Sequence, residues 1–369
     1  MGKILILANS ASGLYDFRNE LVLALLQENE VYVSLPDEEK APELAREGCR
    51  VFHTPIDRRG VNPVRDLRLF ADYFRLMRQV KPDVVLTYTI KPNIYGNLCC
   101  RLLRIPYFAN ITGLGSAFEN GGLVQKIVVL LYRSALKKAC CIFFQNKANA
   151  DIFAQFGIRG KKTRLVPGSG VNLDRHACKE YPAETSGMVF LYVGRLMREK
   201  GIDELLYAAE KLHEEDPAVV FELVGSYEED YKPRIEAYEK RNIVKHVSYQ
   251  KDIAPFYQKA CAVLMPSYHE GMSNVILEAS ASGRPVLASR IPGCEEGFED
   301  GVTGFGFAPR DREALLQALR RFMALSYEER AQMGKNARAK MEQEFDRRKV
   351  VQAYMDEIQR IMKKGENRK

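Results

Sequence analysis

The chain has 369 residues, of which 46% are hydrophobic and 28% are charged, a composition that is typical of folded proteins and excludes a disordered or fibrous chain. Its length exceeds what a single hydrophobic core usually supports and predicts two domains. The net charge of +7 is uneven, because residues 1–180 carry 26 Lys and Arg against 17 Asp and Glu, whereas the remainder carries 29 against 31. We therefore expect the first half to bind an anionic partner, with nucleic acid, an acidic membrane surface and a phosphorylated substrate as the candidates. An uneven distribution of charged surface residues without a function gives the same pattern.

Strands and helices alternate through the first half of the chain. Apolar runs predict strands at 3–8, 30–35, 50–53, 83–88, 105–110, 140–145 and 163–166. Amphipathic spacing predicts helices at about 16–28, 63–80, 92–104, 122–139 and 147–156. Continuous apolar strands separated by such helices are typical of a parallel sheet covered on both faces, so this half predicts a doubly wound α/β domain.

A second α/β pattern follows a break at 174–187, where periodicity is absent and a surface linker is predicted. Strands are predicted at 188–193, 219–224, 244–248, 261–266 and 285–288, and helices at 201–214, 231–240, 252–259, 274–282 and through a tail at 311–364. The sequence thus predicts domains at 1–173 and 188–346, with the segment 347–369 crossing back to the first domain. Because ligands of such sheets bind beyond the carboxyl ends of the strands, we expect the site in a cleft between the two domains.

Sequence features also bear on where the protein works. No apolar run approaches the roughly 18 residues that a membrane-spanning helix requires, and the run at 4–8 is too short for the core of a signal peptide. The eight cysteines form no C-x-x-C pair and lie mostly in apolar stretches, which favours reduced, buried thiols over disulfides or a zinc site. We expect a cytoplasmic protein.

The most specific segment is the loop at 267–273 with the helix that it opens. The loop follows a buried strand and therefore presents Glu270 at the strand end, while Gly271 lets a backbone approach a ligand closely. The N–H groups of residues 272–275 would point out of the helix N-terminus, where phosphate or sugar oxygens bind. Glu278 lies about one turn into the helix, so two carboxylates would flank one anion-binding helix start. A capped helix with an ordinary ion-paired glutamate has the same sequence.

The segment at 191–201 repeats this arrangement of strand, glycine-containing turn and helix. Arg195 and Lys200 lie five residues apart on either side of the turn. A guanidinium gives forked hydrogen bonds to phosphate, and an ammonium supplies a mobile point charge, so the pair suits a diphosphate. An ordinary surface Arg and Lys would fit the spacing equally well.

Several motifs are missing. The turn at 8–18 lacks G-x-G-x-x-G, and the segment 111–118 matches only half of it, so a dinucleotide site is not indicated. No D-x-D triplet occurs, and therefore the usual carboxylate clamp for a nucleotide-bound metal is missing. The sequence also contains no H-E-x-x-H, no G-x-S-x-G and no Walker loop.

Taken together, the motifs resemble those of the family 4 glycosyltransferases, retaining enzymes of the GT-B fold, in which two Rossmann-like domains face each other across a cleft. The family's E-x7-E signature is matched by Glu270 and Glu278, and its G-R-x4-K-G diphosphate motif begins at Gly194 and includes Arg195 and Lys200. The resemblance covers nearly the whole chain. It implies an enzyme that transfers a hexose or N-acetylhexosamine from a nucleotide sugar, expected to be UDP-linked, without a metal or other cofactor.

The resemblance also implies a role for each matching residue. Arg195 and Lys200 would neutralise the diphosphate, Glu278 would bind the ribose hydroxyls, and Glu270 would bind donor-sugar hydroxyls near the anomeric carbon, so that Arg195, Lys200 and Glu270 are the catalytic candidates. The implied donor-binding residues are Gly13, Gly194, Arg195, Lys200, Glu270, Gly271, Met272, Ser273, Asn274 and Glu278. The helix start departs from the commoner E-G-F-G-x-P-x-L-E form, which leaves the sugar preference open.

More narrowly, the first domain resembles that of bacterial enzymes that extend polyprenyl-diphosphate-linked sugars in capsule, O-antigen or glycoprotein glycan assembly. The residues that carry this resemblance are those at 15–18 and 111–118. It implies a lipid-linked saccharide as acceptor, with Asp16 and Arg18 as acceptor-binding candidates. It also implies a peripheral location on the inner face of the plasma membrane.

Two basic helical segments bear on that membrane contact. Residues 58–81 contain seven Lys and Arg, and the apolar residues spaced along the same segment are Leu67, Phe70, Phe74 and Met77. Such a helix could lie on anionic lipid, or it could face the core with a solvated basic back. A second candidate is the helix 122–139, whose cations are Lys126, Arg133, Lys137 and Lys138.

Three other functions remain open from the sequence. A nucleotide-sugar 2-epimerase shares two facing α/β domains but has no need of the E-x7-E spacing. A nucleic-acid-binding protein would explain the basic first half, yet the cations are not interleaved with an aromatic platform, so we expect no nucleic-acid partner. A catalytically silent sugar-binding protein would have no reason to keep both donor motifs.

Overall fold

The computed structural model describes residues 1–57, 60, 62–114 and 122–366. Arg58 and Arg59 of the basic run and residues 115–118 of the segment 111–118 therefore lie outside the described residues. The chain forms two compact units, one of Met1–Ser169 together with the chain from Arg348 onward, and one of Gly170–Arg347.

The first unit is built on a parallel sheet of seven strands in the order β3-β2-β1-β4-β5-β6-β7. Strand β1, which pairs with β2 and β4, contains a continuous apolar run at Ile4–Leu7 that is buried on both faces, as expected for a covered parallel sheet. The strands are β1 (Gly2–Leu7), β2 (Asn29–Leu35), β3 (Arg50–His53), β4 (Val84–Tyr88), β5 (Tyr107–Ile111), β6 (Cys141–Phe144) and β7 (Thr163–Leu165).

Helices cover both faces of this sheet. Their bounds are α1 (Ala11–Leu26), α2 (Ala41–Arg46), α3 (Pro63–Val80), α4 (Asn97–Leu103), α5 (Gly122–Leu136) and α6 (Lys147–Gln155). Buried side chains of α1 pack on one face, and those of α3, α4, α5 and α6 pack on the other. The predicted helix 92–104 begins with a π-helical turn at Pro92–Gly96 before α4. Helix α2 was not predicted.

The second unit has a parallel sheet of six strands in the order β10-β9-β8-β11-β12-β13. The strands are β8 (Val189–Val193), β9 (Val220–Val224), β10 (Val244–Val247), β11 (Ala262–Met265), β12 (Val286–Ser289) and β13 (Gly304–Phe307). The helices are α7 (Ile202–Glu215), α8 (Lys232–Lys240), α9 (Ala254–Lys259), α10 (Asn274–Ala281), α11 (Arg312–Met323) and α12 (Tyr327–Lys340). Apolar clusters lie on both faces of the sheet.

In both sheets the strand order reverses next to the first strand of the unit, between β1 and β4 and between β8 and β11. This is the order of a doubly wound fold, in which ligands bind beyond the carboxyl ends of the strands where the order reverses. The prediction of two doubly wound α/β domains is confirmed.

The segment predicted as a linker, 174–187, lies within the second unit. Although it lacks periodicity, it is attached to that unit by hydrogen bonds. The Lys179 amide donates to the Ser282 carbonyl oxygen, and the Tyr181 hydroxyl donates to the Cys261 carbonyl oxygen at 2.9 Å. The division of the chain therefore falls at 169/170 rather than at the predicted position, because irregular backbone can be held by hydrogen bonds that leave no periodic signal.

The last helix, α13 (Arg347–Glu366), packs from Arg348 onward with the first unit. Its Tyr354 ring stacks on Phe143 of β6 with centroids 4.1 Å apart. Glu357 forms an ion pair with Lys162, and its other oxygen pairs with Arg360. The first unit is thus completed by the C-terminal end of the chain.

Candidate active site

The loop after β8 contains the G-R-x4-K-G residues and packs tightly against its neighbours. A Cβ on Gly225, which follows β9, would lie 1.9 Å from the Gly194 carbonyl oxygen, so these two loops meet backbone to backbone. Gly201 has φ of +73°, and a Cβ there would lie 2.1 Å from the Pro266 carbonyl oxygen. Gly201 of the motif and Gly225 beside it are therefore required where the loop passes the ends of β9 and β11.

The loop after β11 leads into α10, whose N-cap is Ser273. The Ser273 hydroxyl accepts from the Ile276 amide at 3.4 Å, and the Ser273 amide donates to the Gly293 carbonyl oxygen at 2.8 Å. Met272 is buried in an apolar cluster with Leu277. We expected the N–H groups of residues 272–275 to face a ligand, and this is wrong for Ser273, because the loop after β12 already uses its amide.

The two motifs meet at an ion pair. Lys200 Nζ lies 2.6 Å from Glu270 Oε1, and the two side chains are only 20% and 16% exposed. Because Lys200 follows β8 and Glu270 follows β11, the pair lies where the strand order of the second sheet reverses. The structure thus brings together a cation and a carboxylate that are 70 residues apart in the sequence.

Arg195 also has an acidic partner. Its guanidinium forms an ion pair with Glu228, which lies in the loop after β9, and the Arg195 side chain is half-exposed. The backbone of Arg195 is held by a buried side chain, since the Tyr192 hydroxyl donates to the Arg195 carbonyl oxygen at 2.8 Å. Each of the two predicted diphosphate-binding cations therefore pairs with a carboxylate of its own unit.

Glu278 on α10 has a tyrosine hydroxyl and an imidazole beside its carboxylate. The Tyr257 hydroxyl of α9 donates to Glu278 Oε2 at 3.1 Å, and His176 Nε2 lies 3.9 Å from Glu278 Oε1. Tyr257 is fully buried, and burial together with the neighbouring Glu278 raises its pKa well above the ordinary value. The Tyr257 phenol therefore stays protonated and acts as a hydrogen-bond donor.

The predicted residues of the first unit lie around α1. Helix α1 begins at Ala11 rather than at about residue 16, because Ser10 caps it, and Gly13 consequently lies in the first helical turn. The Gly13 amide donates to Ser10 Oγ at 3.1 Å, and the Ala11 amide donates to Asp37 Oδ1 at 3.0 Å. We expected Gly13 in a loop, but it lies in the helix. Its role toward a diphosphate stays a prediction.

The two acceptor-binding candidates occupy different environments. Asp16 is half-buried on α1. Arg18 is 6% exposed, donates to the Phe17 carbonyl oxygen at 3.1 Å, and has its guanidinium carbon 5.6 Å from the centre of the Tyr88 ring. Arg18 therefore lies beside the end of β4, where the order of the first sheet reverses. A role in acceptor binding stays a prediction for both residues.

The two basic helices differ in where their apolar side chains lie. On α3, Met77 is buried and Phe70 and Phe74 pack against the core, while Leu67 is exposed. This placement favours the core-facing interpretation of α3.

On α5, by contrast, Leu123, Ile127 and Leu130 are exposed, at 74%, 48% and 66%. With 100° per residue they fall within an arc of about 60° on the helix.

Sequence reasoning did not find Tyr257, His176, Glu228 or Gly293 as parts of the site. Gly293 could have been noticed, since it lies in a loop after a predicted strand, and a Cβ there would be 2.6 Å from the Glu270 carbonyl oxygen. The other three carry no motif, because only the fold brings them next to the predicted residues.

Two features are absent from the part of the chain that the structure describes. The described residues contain no group of three or more His, Cys, Asp or Glu side chains that could hold a metal ion. Among the helices that the structure describes, none is long and apolar enough to cross a bilayer.

Two family models match the chain in succession. The model described as "Glycosyl transferase 4-like" matches residues 3–146, and the model described as "Glycosyl transferases group 1" matches residues 178–340. The chain belongs to the glycosyltransferases. The family and the enzyme class that the two donor motifs predicted are confirmed.

Two relatives of this glycosyltransferase carry specific names. The "N,N'-diacetylbacillosaminyl-diphospho-undecaprenol alpha-1,3-N-acetylgalactosaminyltransferase" of Campylobacter jejuni is 25% identical over 97% of this chain and 98% of its own length. The "UDP-Gal:alpha-D-GlcNAc-diphosphoundecaprenol alpha-1,3-galactosyltransferase" of Escherichia coli is 25% identical over 80% of this chain and 81% of its own length. Both names specify an acceptor that is linked to undecaprenol through a diphosphate.

Solved structures show the fold of this glycosyltransferase. The crystal structure of the Anabaena protein HepE in complex with UDP and glucose has a TM-score of 0.80 at 21% identity and covers 97% of this chain and 100% of that one. Sucrose-phosphate synthase of Thermosynechococcus elongatus has a TM-score of 0.81 at 20% identity and covers 99% of this chain and 100% of that one. The predicted GT-B fold class is confirmed.

Proposed function

We propose that this glycosyltransferase transfers a hexose or N-acetylhexosamine from a UDP-sugar, with retention of anomeric configuration, to a polyprenyl-diphosphate-linked saccharide. The observation that carries the proposal is the Lys200–Glu270 ion pair, since it joins the diphosphate motif to the carboxylate assigned to the donor sugar. One activated sugar could contact both groups at once.

The proposed catalysis follows from charge. Cleavage of the glycosyl–phosphate bond leaves a diphosphate with additional negative charge, and Arg195 and Lys200 would bind that charge more tightly as it develops. A diphosphate would compete with Glu228 for Arg195 and with Glu270 for Lys200. Lys200 would then move from Glu270 toward phosphate, and Glu270 would be released to accept hydrogen bonds from donor-sugar hydroxyls. We assign Glu270 to positioning rather than to nucleophilic attack, so that the acceptor hydroxyl would bond to the anomeric carbon on the face from which the diphosphate leaves, and its proton would pass to a diphosphate oxygen.

The proposed acceptor rests on the named relatives and on charge. Both relatives are named for diphospho-undecaprenol-linked acceptors, and residues 1–180 of this chain carry a net charge of +9. An acceptor diphosphate would be attracted by that excess. The half-buried Asp16 and the buried Arg18 are the candidate contacts in the first unit.

We further propose that α5 rests on the anionic inner face of the plasma membrane, where such an acceptor is anchored. Its exposed apolar stripe consists of Leu123, Ile127 and Leu130. Lys126 and Arg133 are exposed along one edge of the stripe, and Lys137 and Lys138 are exposed just after the helix ends. Apolar insertion combined with flanking cations is the pattern of a helix that lies in a membrane interface.

A flotation assay tests the membrane contact. The full chain should float with vesicles of phosphatidylglycerol and phosphatidylcholine at low salt, and the triple variant of Leu123, Ile127 and Leu130 to Ser should not. The control Leu165→Ser removes a similarly exposed leucine from β7 and should float like the wild type. Equal flotation of the triple variant would refute the role of α5.

We also propose that the reaction needs no metal, with Arg195 and Lys200 supplying the positive charge that a divalent cation gives elsewhere. The test of the whole function is acceptor-dependent UDP release from a panel of UDP-hexoses and UDP-N-acetylhexosamines. Polyprenyl-diphosphate-linked sugar in anionic vesicles serves as acceptor, and the product anomer is assigned by NMR. Release of an epimerised nucleotide sugar without acceptor, or an inverted product, would refute the proposal.

A further inference from the structure

A buried tyrosine lies behind the second glutamate of the E-x7-E pair. Tyr257 on α9 is 0% exposed, and its hydroxyl donates to Glu278 Oε2 at 3.1 Å. The second oxygen of the same carboxylate, Oε1, is the one nearer to His176, at 3.9 Å from Nε2. The Glu278 side chain remains partly exposed, at 19%. One oxygen is therefore fixed from inside the protein while the carboxylate still reaches the surface.

The backbone of Tyr257 is fixed by a buried cation. Arg284 is fully buried, and its Nε donates to the Tyr257 carbonyl oxygen at 2.7 Å. Its Nη2 donates to the Glu180 carbonyl oxygen at 2.7 Å and to the Gln258 carbonyl oxygen at 3.1 Å. A buried guanidinium that is satisfied by carbonyl oxygens holds several backbone segments at once.

Arg284 also connects this arrangement to α10, since its amide donates to the Ala279 carbonyl oxygen, one residue beyond Glu278. Arg284 thus binds the backbone of both helices, α9 with Tyr257 and α10 with Glu278. This common contact keeps the Tyr257 hydroxyl and the Glu278 carboxylate within hydrogen-bond distance. A carboxylate whose orientation is fixed before binding loses less conformational entropy when it accepts hydrogen bonds from a ligand.

We infer that Tyr257 is a positioning residue that holds the Glu278 carboxylate toward the ribose of the donor and so gives the enzyme its preference for ribonucleotides over 2'-deoxyribonucleotides. The inference rests on the proposed function, in which Glu278 binds the ribose hydroxyls. With Oε2 held by Tyr257, the carboxylate has one orientation in which its remaining lone pairs meet the 2'-hydroxyl and 3'-hydroxyl. Without that hydrogen bond, the carboxylate can rotate away from them.

The test measures binding of UDP and 2'-deoxy-UDP to the full chain by calorimetry, together with GDP and 2'-deoxy-GDP in case the base is guanine. The wild type should prefer the ribonucleotide by roughly tenfold or more, the effect of a hydrogen bond to a charged group. In Tyr257→Phe that ratio should fall by about threefold to tenfold, mainly through weaker binding of the ribonucleotide. If the role of Tyr257 is purely structural, Tyr257→Phe would weaken the binding of the ribonucleotide and of the 2'-deoxyribonucleotide equally.

A matched control and a reference variant complete the experiment. Tyr107→Phe removes another buried hydroxyl, which donates to the Ala135 carbonyl oxygen in the first unit, and should keep the wild-type ratio. Glu278→Gln should abolish the ribose preference. Circular dichroism and thermal unfolding establish that each variant is folded, and an unfolded Tyr257→Phe is replaced by Tyr257→Met, which also lacks a hydrogen-bond donor and keeps an apolar side chain.

The outcomes separate the inference from the function beneath it. If Glu278→Gln keeps the wild-type ratio, or if neither nucleoside diphosphate binds, the proposed role of Glu278 fails and the inference fails with it. If Glu278→Gln loses the preference while Tyr257→Phe keeps it, the role of Glu278 stands and the inference about Tyr257 is overturned. A selective fall of the ratio in both variants supports the inference.

Discussion

Replacement of Lys200 by methionine tests the contact on which the proposed function depends. The variant removes the ammonium but keeps an unbranched side chain of similar length. Because the two side chains of the Lys200–Glu270 pair are about four-fifths buried, the pair lies between an exposed ion pair, which contributes at most ~1 kcal/mol, and a fully buried one, whose disruption costs ~3–5 kcal/mol. We expect the free energy of unfolding to fall by about 2 kcal/mol, because Glu270 is left without its cation.

Catalysis should suffer for a second reason. In the proposed reaction Lys200 makes a charge-assisted hydrogen bond to the leaving diphosphate, worth about 1.5–3 kcal/mol, which corresponds to a loss of about 10- to 150-fold in kcat/KM. The two effects are separated by adding Glu270→Gln. The double variant should recover part of the stability that Lys200→Met loses, since the uncompensated carboxylate is gone. It should not recover any of the lost activity.

Urea unfolding measures the stability, and acceptor-dependent UDP release measures kcat/KM. Lys211→Met is the control, because Lys211 pairs with Glu214 on the exposed face of α7, and both quantities should stay near the wild-type values. The reasoning is refuted if Lys200→Met retains kcat/KM within threefold of the wild type, or if the stability losses of the two single variants simply add.

Three other outcomes are expected. Glu228→Gln removes the carboxylate that pairs with Arg195, so calorimetry should find UDP bound about two- to fivefold more tightly, and weaker binding would mean that Glu228 orients Arg195 instead. Gly201→Ala should lower the free energy of unfolding by about 2 kcal/mol or more, since the new Cβ meets the Pro266 carbonyl oxygen. Its control is Gly301→Ala, where φ is +76° but the space is open, and the free energy of unfolding should fall by less. EDTA should leave UDP release unchanged, and a loss that Mg²⁺ restores would contradict metal independence.

The fold was predictable from the sequence because its signal is local. Apolar runs such as Ile4–Leu7 and the helical spacing between them were sufficient for the strand and helix pattern of both sheets. The boundary of the units was not predictable in this way, since the segment 174–187 is held by hydrogen bonds of Lys179 and Tyr181 to distant carbonyl groups.

The motif residues of the candidate site were found from the sequence, and their roles stay predictions. Lys200 and Glu270 were each predicted to bind the donor, and they lie 2.6 Å apart because each follows a strand next to the point where the sheet order reverses. Glu228 and Tyr257 were not found, since an ion pair and a buried hydrogen bond depend on side chains that only tertiary packing brings together. The amphipathic pattern of α3 left both interpretations open, because periodicity alone does not tell a core-facing stripe from a lipid-facing one.

The return of the C-terminal helix to the first unit has a consequence for biosynthesis. The second unit is one continuous segment of the chain and can fold as soon as Arg347 has left the ribosome. The first unit cannot complete its fold until helix α13 is synthesised, because Tyr354 of that helix covers Phe143. Until then an aromatic surface on β6 stays open to solvent. The first unit is therefore translated before the second but completes its fold after it, and a stop codon placed between codons 348 and 354 should destabilise the first unit rather than the second.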